Sequence, residues 1–287
     1  MAPRRTLRAG SRTFELGERP WLMGVVNAND DSFSGRGGEG IELADVVDVG
    51  GESAITGRPP VEPEEEIARV VPVVERLAGR GVLVSVDTYK PAVAEAAIAA
   101  GASIVNDVSG LRDPALAEVC ARSGAALVVM HTRAAPKQRL QDPDAYDDVG
   151  ADVVAFLRDR MAAAIDAGVA AEQIVLDPGP DFAKTPAQTI AVLRRLDALH
   201  ELGRPLLLAI SRKDFIGALT RRPPSERGAG TLAALAHGAD AGGHIFRVHD
   251  VAAAADFLAV RAALRGETDV PRDLVLPDEL RHEPPTA

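Results

Sequence analysis

Residues 206–213 read Leu-Leu-Leu-Ala-Ile-Ser-Arg-Lys, a run of aliphatic side chains followed at once by a hydroxyl group and two cations. A short aliphatic run of this kind is typical of a strand buried on both faces, as in a parallel sheet. Residues 244–250 repeat the arrangement, because His-Ile-Phe precedes Arg-Val-His-Asp. Two strands that both end in cations predict an anion-binding site at the mouth of a parallel barrel.

Short apolar runs with the same character recur along the chain. We predict strands at residues 21–26, 45–49, 82–86, 103–105, 126–130, 174–176, 206–210 and 245–248. Apolar residues at helical spacing predict helices at residues 64–78, 91–100, 114–121, 151–167, 186–201, 228–241 and 250–264. Strands alternating with helices in this number predict a (β/α)8 TIM barrel in a single domain. The competing fold is a doubly wound open sheet, but it usually has fewer strands, and no Gly-x-Gly-x-x-Gly motif follows the first strand.

The barrel is expected to have short flanking segments. We assign residues 1–20 to an N-terminal lead-in with a short strand at residues 12–16, residues 21–265 to the barrel, and residues 266–287 to an extended, Pro-rich tail. The first crossover is unusual, because the glycine-rich residues 35–40 leave little chain for a helix before the second strand. We therefore expect the first crossover helix to be shortened.

The composition and charge of the chain argue against several classes of function. The chain has 287 residues, 46% of them hydrophobic, and a formal net charge of −10. An acidic protein is a poor candidate for binding nucleic acid or anionic membranes without specificity. No apolar run approaches the ~18 residues that a membrane span needs, and the single cysteine, Cys120, cannot form an internal disulfide. These features predict a soluble, cytoplasmic protein.

Every predicted strand is followed by polar side chains, and in a TIM barrel the catalytic groups come from these strand ends. The groups, in chain order, are Asn27, Glu52-Ser53, Asp87-Thr88, Asn106-Asp107, His131-Thr132, Asp177, Ser211-Arg212-Lys213, and Arg247 with His249. Each Asn or Asp alone is explained as a turn former or helix cap. Eight convergent polar ends instead predict a functional site.

The residue types favour a flat, nitrogen-rich ligand with an anionic tail. A carboxylate such as Asp87 or Asp177, with the Asn106 amide, suits a planar heterocycle that presents an N–C–N edge. Lys213 would contact a ring heteroatom, and Arg247 would stack on the ring or hold an anion.

A diphosphate clamp is also predicted, from Asn27, Arg247 and His249, with or without a metal, because TIM barrels often hold phosphate near their last two strands. Ser211 shows no base partner in the sequence, so a displacement driven by stabilising the leaving group fits better than covalent catalysis.

The ordered set of motifs resembles dihydropteroate synthase. The similarity runs from about residue 21 to residue 264 and rests on the following stretches: Met-Gly-Val-Val-Asn at 23–27, Asp-Ser-Phe-Ser at 31–34, Asp-Val-Gly-Gly-Glu-Ser at 48–53, Ser-Val-Asp-Thr at 85–88, Asn-Asp-Val-Ser at 106–109, Asp-Pro-Gly at 177–179 with Phe182 and Lys184, Ser-Arg-Lys at 211–213, and Arg-Val-His-Asp-Val at 247–251.

The resemblance implies a reaction of folate biosynthesis. A 7,8-dihydropterin that carries a CH2-diphosphate loses diphosphate to 4-aminobenzoate, with Mg2+ assisting, and family members are usually dimers. The implied pterin-binding residues are Asp87, Asn106, Asp177, Lys213 and Arg247. The implied diphosphate ligands are Asn27, Arg247 and His249, with Asn27 near Mg2+. Phe182 and Ser211 would line the aminobenzoate side, and Lys213, Arg247 and His249 would be the catalytic residues.

Two loops depart from the family pattern. The first lacks the usual Thr-Pro after Asn27, and reads Ala-Asn-Asp at 28–30. The second has Ala54 and Ile55 where the family has Thr and Arg, and Arg58 three residues later is a candidate replacement on the aminobenzoate side.

Three alternatives to the synthase remain open from the sequence. They are a homologue that binds pterin but makes little product, a pterin-dependent methyltransferase, and a Schiff-base aldolase that uses Lys213.

Overall fold

The N-terminal segment forms a hairpin in the computed structural model, which describes residues 2–28, 40–53, 57 and 59–281. Strand β1 (Arg5–Ala9) pairs with β2 (Arg12–Leu16) in antiparallel register. The sequence predicted only the second of these strands. Apolar side chains of the hairpin, Leu7, Ala9 and Leu16, join the apolar cluster inside the barrel. The hairpin therefore closes the amino-terminal end of the barrel and leaves the carboxyl-terminal end open for a site.

All eight predicted barrel strands are present and parallel. They are β3 (Trp21–Asn27), β4 (Val46–Gly50), β5 (Val84–Asp87), β6 (Ile104–Asp107), β7 (Ala126–Met130), β8 (Ile174–Asp177), β9 (Leu207–Leu208) and β10 (Ile245–Val248). Their order in the sheet is β8-β7-β6-β5-β4-β3-β10-β9. A parallel bridge between Leu176 and Leu206 brings β8 next to β9, with the Leu176 N–H 2.9 Å from the Pro205 carbonyl oxygen. The predicted TIM barrel is confirmed.

Helices cover the outside of the sheet. Their bounds are α1 (Pro63–Ala78), α2 (Pro91–Ala99), α3 (Ala115–Ser123), α4 (Val149–Asp166), α5 (Pro186–Leu193), α6 (Asp197–His200), α7 (Asp214–Thr220), α8 (Gly228–Asp240) and α9 (Val251–Leu264). Helix α7 was not predicted. The single helix predicted at residues 186–201 is divided into α5 and α6, because Arg195 N–H bonds to the carbonyl of Val192, three residues back, rather than four.

The first crossover is short where the structure describes it. Between Gly40 and β4 the chain makes one 3-10 turn, Ile41–Leu43, and residues 29–39 lie outside the described part. For the described residues this agrees with the expected shortened first helix.

Alternation along the strands divides the core into two layers. In β4 the side chain of Val46 joins the inner cluster, whereas Val47 and Val49 join the cluster between strands and helices. In β10 Ile245 is inner and Phe246 is outer. Because side chains alternate with a period of two, the next inward position on each strand is fixed by these assignments.

Candidate active site

On six of the eight barrel strands the inward position nearest the carboxyl end is polar, whereas on β7 it is Met130. Counting by two from the inner apolar side chains gives Asn27 on β3, Asp48 on β4, Asp87 on β5, Asn106 on β6, Asp177 on β8 and Arg247 on β10. Apolar layers fill the barrel below them, so these groups form the floor of the open end. The alternation that builds the core also explains why residues distant in sequence meet here.

Arg247 is the centre of this floor. Its Nε lies 2.7 Å from Oδ2 of Asp48, and its Nη2 lies 2.7 Å from Oδ2 of Asp87. The Asn106 amide nitrogen donates to the same Asp48 oxygen at 3.0 Å. One guanidinium therefore joins side chains of β4, β5 and β10, and Asp48 orients both Arg247 and Asn106.

Asp48 was not among the predicted site residues. Its side chain is fully buried, and its second oxygen, Oδ1, has no hydrogen-bond partner among the described residues. Unpaired buried oxygens are unusual, because desolvation of the group is then uncompensated. The sequence does carry a signal for Asp48. It is a carboxylate inside an otherwise apolar strand, two residues after the inward-facing Val46.

The two carboxylates beside Arg247 share one positive charge. Burial raises the pKa of Asp87 above its ordinary value, and the Asp48 carboxylate adds to this, while Arg247 opposes it. Burial acts against the charged form of Arg247, but the attraction of Asp48 and Asp87 outweighs it and raises the pKa of the guanidinium further. Arg247 is thus a permanent cation in a pocket with a negative surplus.

Asp177 is a second buried carboxylate, on the opposite side of the floor from β4. Its side chain is 2% exposed, and Oδ1 accepts a hydrogen bond from the Gly179 N–H at 2.7 Å. Burial raises the pKa of Asp177 to about 6, against the opposing effects of Lys213 and Lys184. Much of the hydrogen-bonding capacity of this carboxylate remains available to a ligand.

Lys213 lies over the ring of Phe182, with Nζ 4.3 Å from the ring centroid. It immediately precedes α7, whose first N–H groups are bound by the Asp181 carboxylate through Asp214 N and Phe215 N. Burial lowers the pKa of Lys213, although Asp181 and Asp177 favour its charged form. A cation and an aromatic ring are therefore held side by side at the end of β9.

Ser211 and His249 are paired, which the sequence did not reveal. The His249 N–H lies 3.2 Å from Ser211 Oγ, and the ring Nδ1 lies 3.0 Å from the same oxygen. The hydroxyl has one proton and two lone pairs, so it can accept from the backbone N–H and donate its own proton to Nδ1. Desolvation of the ring, with the nearby cations Arg247, Arg212 and Lys213, lowers the pKa of His249 to about 4.

A cavity of about 720 Å3 opens above this floor. Among the predicted site residues, its lining includes Asn27, Asp87, Phe182, Lys213, Arg247 and His249. Asn106, Asp177 and Ser211 are buried beneath or beside it. Arg58 lies outside the described residues, as do Ala54 and Ile55 of the second loop.

A charged cluster, for which the sequence predicted no role, forms one wall of the cavity. Lys90 Nζ lies 2.6 Å from both Glu52 Oε2 and Glu66 Oε2, and Lys137 Nζ lies 3.0 Å from Glu52 Oε1. The Tyr89 hydroxyl donates to Glu52 at 2.9 Å. Burial alone would raise the pKa of Glu52, but these donors lower it to about 2. The cluster anchors the start of the second loop, directly after β4.

Metal binding by the protein alone is not indicated within the described residues. They contain no group of three or more His, Cys, Asp or Glu side chains able to hold an ion. Mg2+ commonly keeps several waters and uses one or two protein oxygens together with substrate phosphates. The exposed amide of Asn27, which lines the cavity, fits such a shared site. In the same part of the chain, no helix combines the length and apolar character needed to cross a membrane.

Comparison with known proteins identifies relatives of this barrel. The family model for pterin binding enzymes matches residues 23–249. Dihydropteroate synthase of Bacillus subtilis is 41% identical over 250 residues, covering 82% of this chain and 85% of that protein. The Escherichia coli enzyme is 40% identical over 247 residues, covering 81% and 87%.

Solved structures agree with the sequence relatives. Burkholderia cenocepacia dihydropteroate synthase complexed with 7,8-dihydropteroate superposes with a TM-score of 0.83 at 42% identity, covering 91% of this chain and 97% of that one. The Thermus thermophilus enzyme in complex with 4-aminobenzoate gives a TM-score of 0.80 at 42% identity, covering 91% and 100%.

Proposed function

The chain belongs to the dihydropteroate synthase family of pterin-binding enzymes, and we propose that its barrel mouth condenses 4-aminobenzoate with (7,8-dihydropterin-6-yl)methyl diphosphate. The products are dihydropteroate and diphosphate, so the enzyme is a transferase of folate biosynthesis. The observation that carries the proposal is the convergence of Asp87, Lys213 and Arg247, from three different strand ends, on one cavity.

The pterin ring is assigned to the polar floor. The Asp177 carboxylate, with one oxygen held by Gly179 N–H, is suited to accept two hydrogen bonds from an N–C–N edge. Asn106, oriented by Asp48, and Asp87 supply further contacts to the ring heteroatoms. Lys213 donates to a ring acceptor, and Arg247 packs against the ring face, since a guanidinium is planar and weakly hydrated.

The diphosphate is assigned to Asn27, Arg247 and His249. All three line the cavity. His249 is neutral near pH 7, because its pKa is lowered to about 4, and it donates through Nε2 while Nδ1 accepts from Ser211. An anion at this position would be attracted by Arg247, which stays charged at every accessible pH.

The reaction needs no nucleophile from the protein. The amine lone pair of 4-aminobenzoate attacks the methylene carbon, so that a C–N bond forms, the C–O bond breaks and its electron pair leaves with diphosphate. The amine then loses a proton to solvent. Lys213, Arg247 and His249 are the proposed catalytic residues. Arg247 and His249 stabilise the charge that moves to the leaving diphosphate, and Lys213 holds the pterin ring that carries the reacting methylene. Mg2+, when bound near Asn27, would neutralise part of the diphosphate charge.

The aminobenzoate side is assigned to Phe182, Ser211 and Arg58. Phe182 offers an aromatic face beside Lys213, and Ser211 lies where β9 ends. Arg58 is assigned from the sequence alone. We further propose a cytoplasmic homodimer, in keeping with the resemblance; light scattering of the purified protein is the check on its oligomeric state.

The proposal is tested by incubating the purified protein with pterin diphosphate, 4-aminobenzoate and Mg2+ and following dihydropteroate and diphosphate. We expect both products in equal amounts. Pterin binding without product would instead identify a homologue that has lost turnover. Borohydride trapping of a substrate on Lys213 would favour the aldolase alternative, and methyl transfer from methyltetrahydrofolate would favour the methyltransferase.

A further inference from the structure

Lys184 is a fully buried lysine beneath the loop that follows β8, and the reaction described above does not use it. Its relative exposure is 0%, and it is one of the largest fully buried side chains among the described residues. Nζ lies 2.7 Å from His131 Nδ1, 2.9 Å from the Gly179 carbonyl oxygen and 3.1 Å from the Phe182 carbonyl oxygen. Three acceptors match the three N–H groups of an ammonium, so every proton has a partner.

The hydrogen bonds also assign the tautomer of His131. Because Lys184 donates to Nδ1, the ring proton is on Nε2, which lies 3.0 Å from Oδ1 of Asp152 on α4. Burial, together with the Lys184 charge, lowers the pKa of His131 to about 3, so the imidazole is neutral. Arg133 also binds the Asp152 carboxylate. A chain of polar contacts thus runs from the surface to the buried ammonium.

The loop that Lys184 holds has an uncommon backbone conformation. Gly179, Asp181 and Ala183 all have positive φ, at 65°, 67° and 51°, and two of them are not glycine. A Cβ at Gly179 would lie 2.1 Å from the carbonyl oxygen of His131. Backbone in the left-handed region is unfavourable for residues other than glycine and persists only where the surroundings impose it.

Lys184 supplies much of that constraint. It bonds carbonyl oxygens on both sides of Asp181, and the Tyr146 hydroxyl bonds the Ala183 carbonyl at 2.7 Å. Between these fixed points the loop presents two functional groups, Phe182 and Asp181. Phe182 lies under Lys213 in the cavity, and the Asp181 carboxylate binds the first N–H groups of α7.

We propose that Lys184, as a buried ammonium, is a positioning residue that holds residues 179–183 in the conformation that places Phe182 against Lys213 for 4-aminobenzoate binding. This inference rests on the proposed function, because it assigns Phe182 to the aminobenzoate side. Lys184 itself touches neither the cavity nor the reacting atoms.

The proposal makes aminobenzoate binding depend on pH. Burial lowers the pKa of Lys184 to about 7, so the ammonium is present below this pH and is lost above it. A neutral amine has two N–H groups for three acceptors. The neutral amine would stay bonded to all three groups only if His131 donated a proton from Nδ1 to the amine nitrogen. The Nε2 lone pair of His131 would then face the Asp152 carboxylate. The charged groups that face Lys184 are Asp177 on β8, Asp181 in the loop and Asp152 on α4, which favour its charge, and Lys213, which opposes it.

The test is the Michaelis constant for 4-aminobenzoate between pH 6 and 9, at saturating pterin diphosphate. In the wild-type protein we expect it to rise as the pH passes about 7. Lys184→Met keeps the length but not the charge, and should raise this constant on the order of 10-fold at pH 6, with a flat pH profile thereafter. The matched control is Arg122→Met, which removes a cation from the exposed surface of α3 and should match the wild type.

Asp152→Asn keeps an acceptor for His131 but removes a charge that favours the ammonium. It lies outside the cavity lining and should move the rise to lower pH, because the pKa of Lys184 falls. If Lys184→Met does not fold, the pH profile of Asp152→Asn tests the proposal by itself. Any of three results would overturn the proposal. They are a wild-type Michaelis constant that does not vary with pH, a Lys184→Met constant that still rises with pH, and a rise in Asp152→Asn that occurs at the same pH as in the wild type. Absence of any product from the wild-type protein would instead remove the proposed function, and the inference with it.

Discussion

Arg247 shows how one side chain organises a site. Removing it would leave the buried Asp48 carboxylate and the half-buried Asp87 carboxylate without a cation between them, which is costly for the site. The same guanidinium is the group assigned to both the ring face and the diphosphate. Its two roles are separable, because a bare pterin uses only the first.

We therefore expect Arg247→Ala to weaken pterin diphosphate more than bare pterin. The loss should be roughly 100-fold for the diphosphate and about 10-fold for the bare ring, since charge-assisted hydrogen bonds to an anion contribute more than stacking. Isothermal titration of both ligands checks this. Arg195→Ala, which removes an exposed cation that pairs with Asp148 on the surface, is the control and should bind like the wild type. An equal loss for both ligands would leave stacking as the only role.

Candidate site residues could be predicted from the sequence where they end a strand. They were harder to predict where only a tertiary contact brings them to the cavity. Asn27, Asp87, Asn106, Asp177 and Arg247 follow from strand ends and period-two alternation. The contacts of Asp48 and the pairing of Lys184 with His131 depend on which side chains face each other across the barrel. Nothing in the local sequence encodes those distances.

At the scale of elements, helix α7 is the clearest difference from the sequence-based expectation. It has seven residues, too few for apolar periodicity to be recognised, and short helices are marginal without tertiary support. The Asp181 carboxylate supplies that support by binding N–H groups at its start. Strand β1 escaped prediction for a related reason, because its pairing with β2 becomes evident only in the folded chain.

The second loop is an element whose altered sequence is expected to limit turnover. Its anchor, Glu52, is fixed by Lys90 and Lys137, so changes at residues 54 and 55 should act locally. Ala54→Thr combined with Ile55→Arg should raise kcat/KM by on the order of 10-fold, the value of one charge-assisted hydrogen bond. Steady-state assays with and without Arg58→Ala provide the measurement and its control. No gain in the double variant, with a loss in Arg58→Ala, would show that Arg58 already does this work.

At the scale of the molecule, the site is maintained at the expense of stability. Asp177 has a pKa raised to about 6, above its ordinary value of 3.8, because it is buried. The stabilising contribution of a carboxyl group whose pKa is raised in the folded state is fully present only below its unfolded pKa. That contribution is lost as the pH rises through about 6. At neutral pH the protein therefore retains a carboxylate that favours unfolding.

Asp177→Asn should consequently be more stable than the wild type at pH 8 and lose that advantage near pH 4. The expected gain is roughly 2–3 kcal/mol in the free energy of unfolding, from about two pKa units at 1.4 kcal/mol each. Denaturant titrations at the two pH values measure it. The same variant should bind pterin on the order of 10-fold more weakly, because a charge-assisted pair is lost. A variant that is less stable at pH 8, or that binds pterin normally, would contradict the assignment.

The whole barrel combines a formal net charge of −10 with a pocket whose lining includes the cations Arg212, Lys213 and Arg247. Short-range geometry in the pocket outweighs the distant, screened charge.

The most direct measurement is a crystal structure with the pterin diphosphate bound. The account predicts the ring within hydrogen-bonding distance of Asp177 and Asn106 and the diphosphate beside Arg247 and His249. A ring bound away from Asp177, or a diphosphate turned away from Arg247, would contradict it.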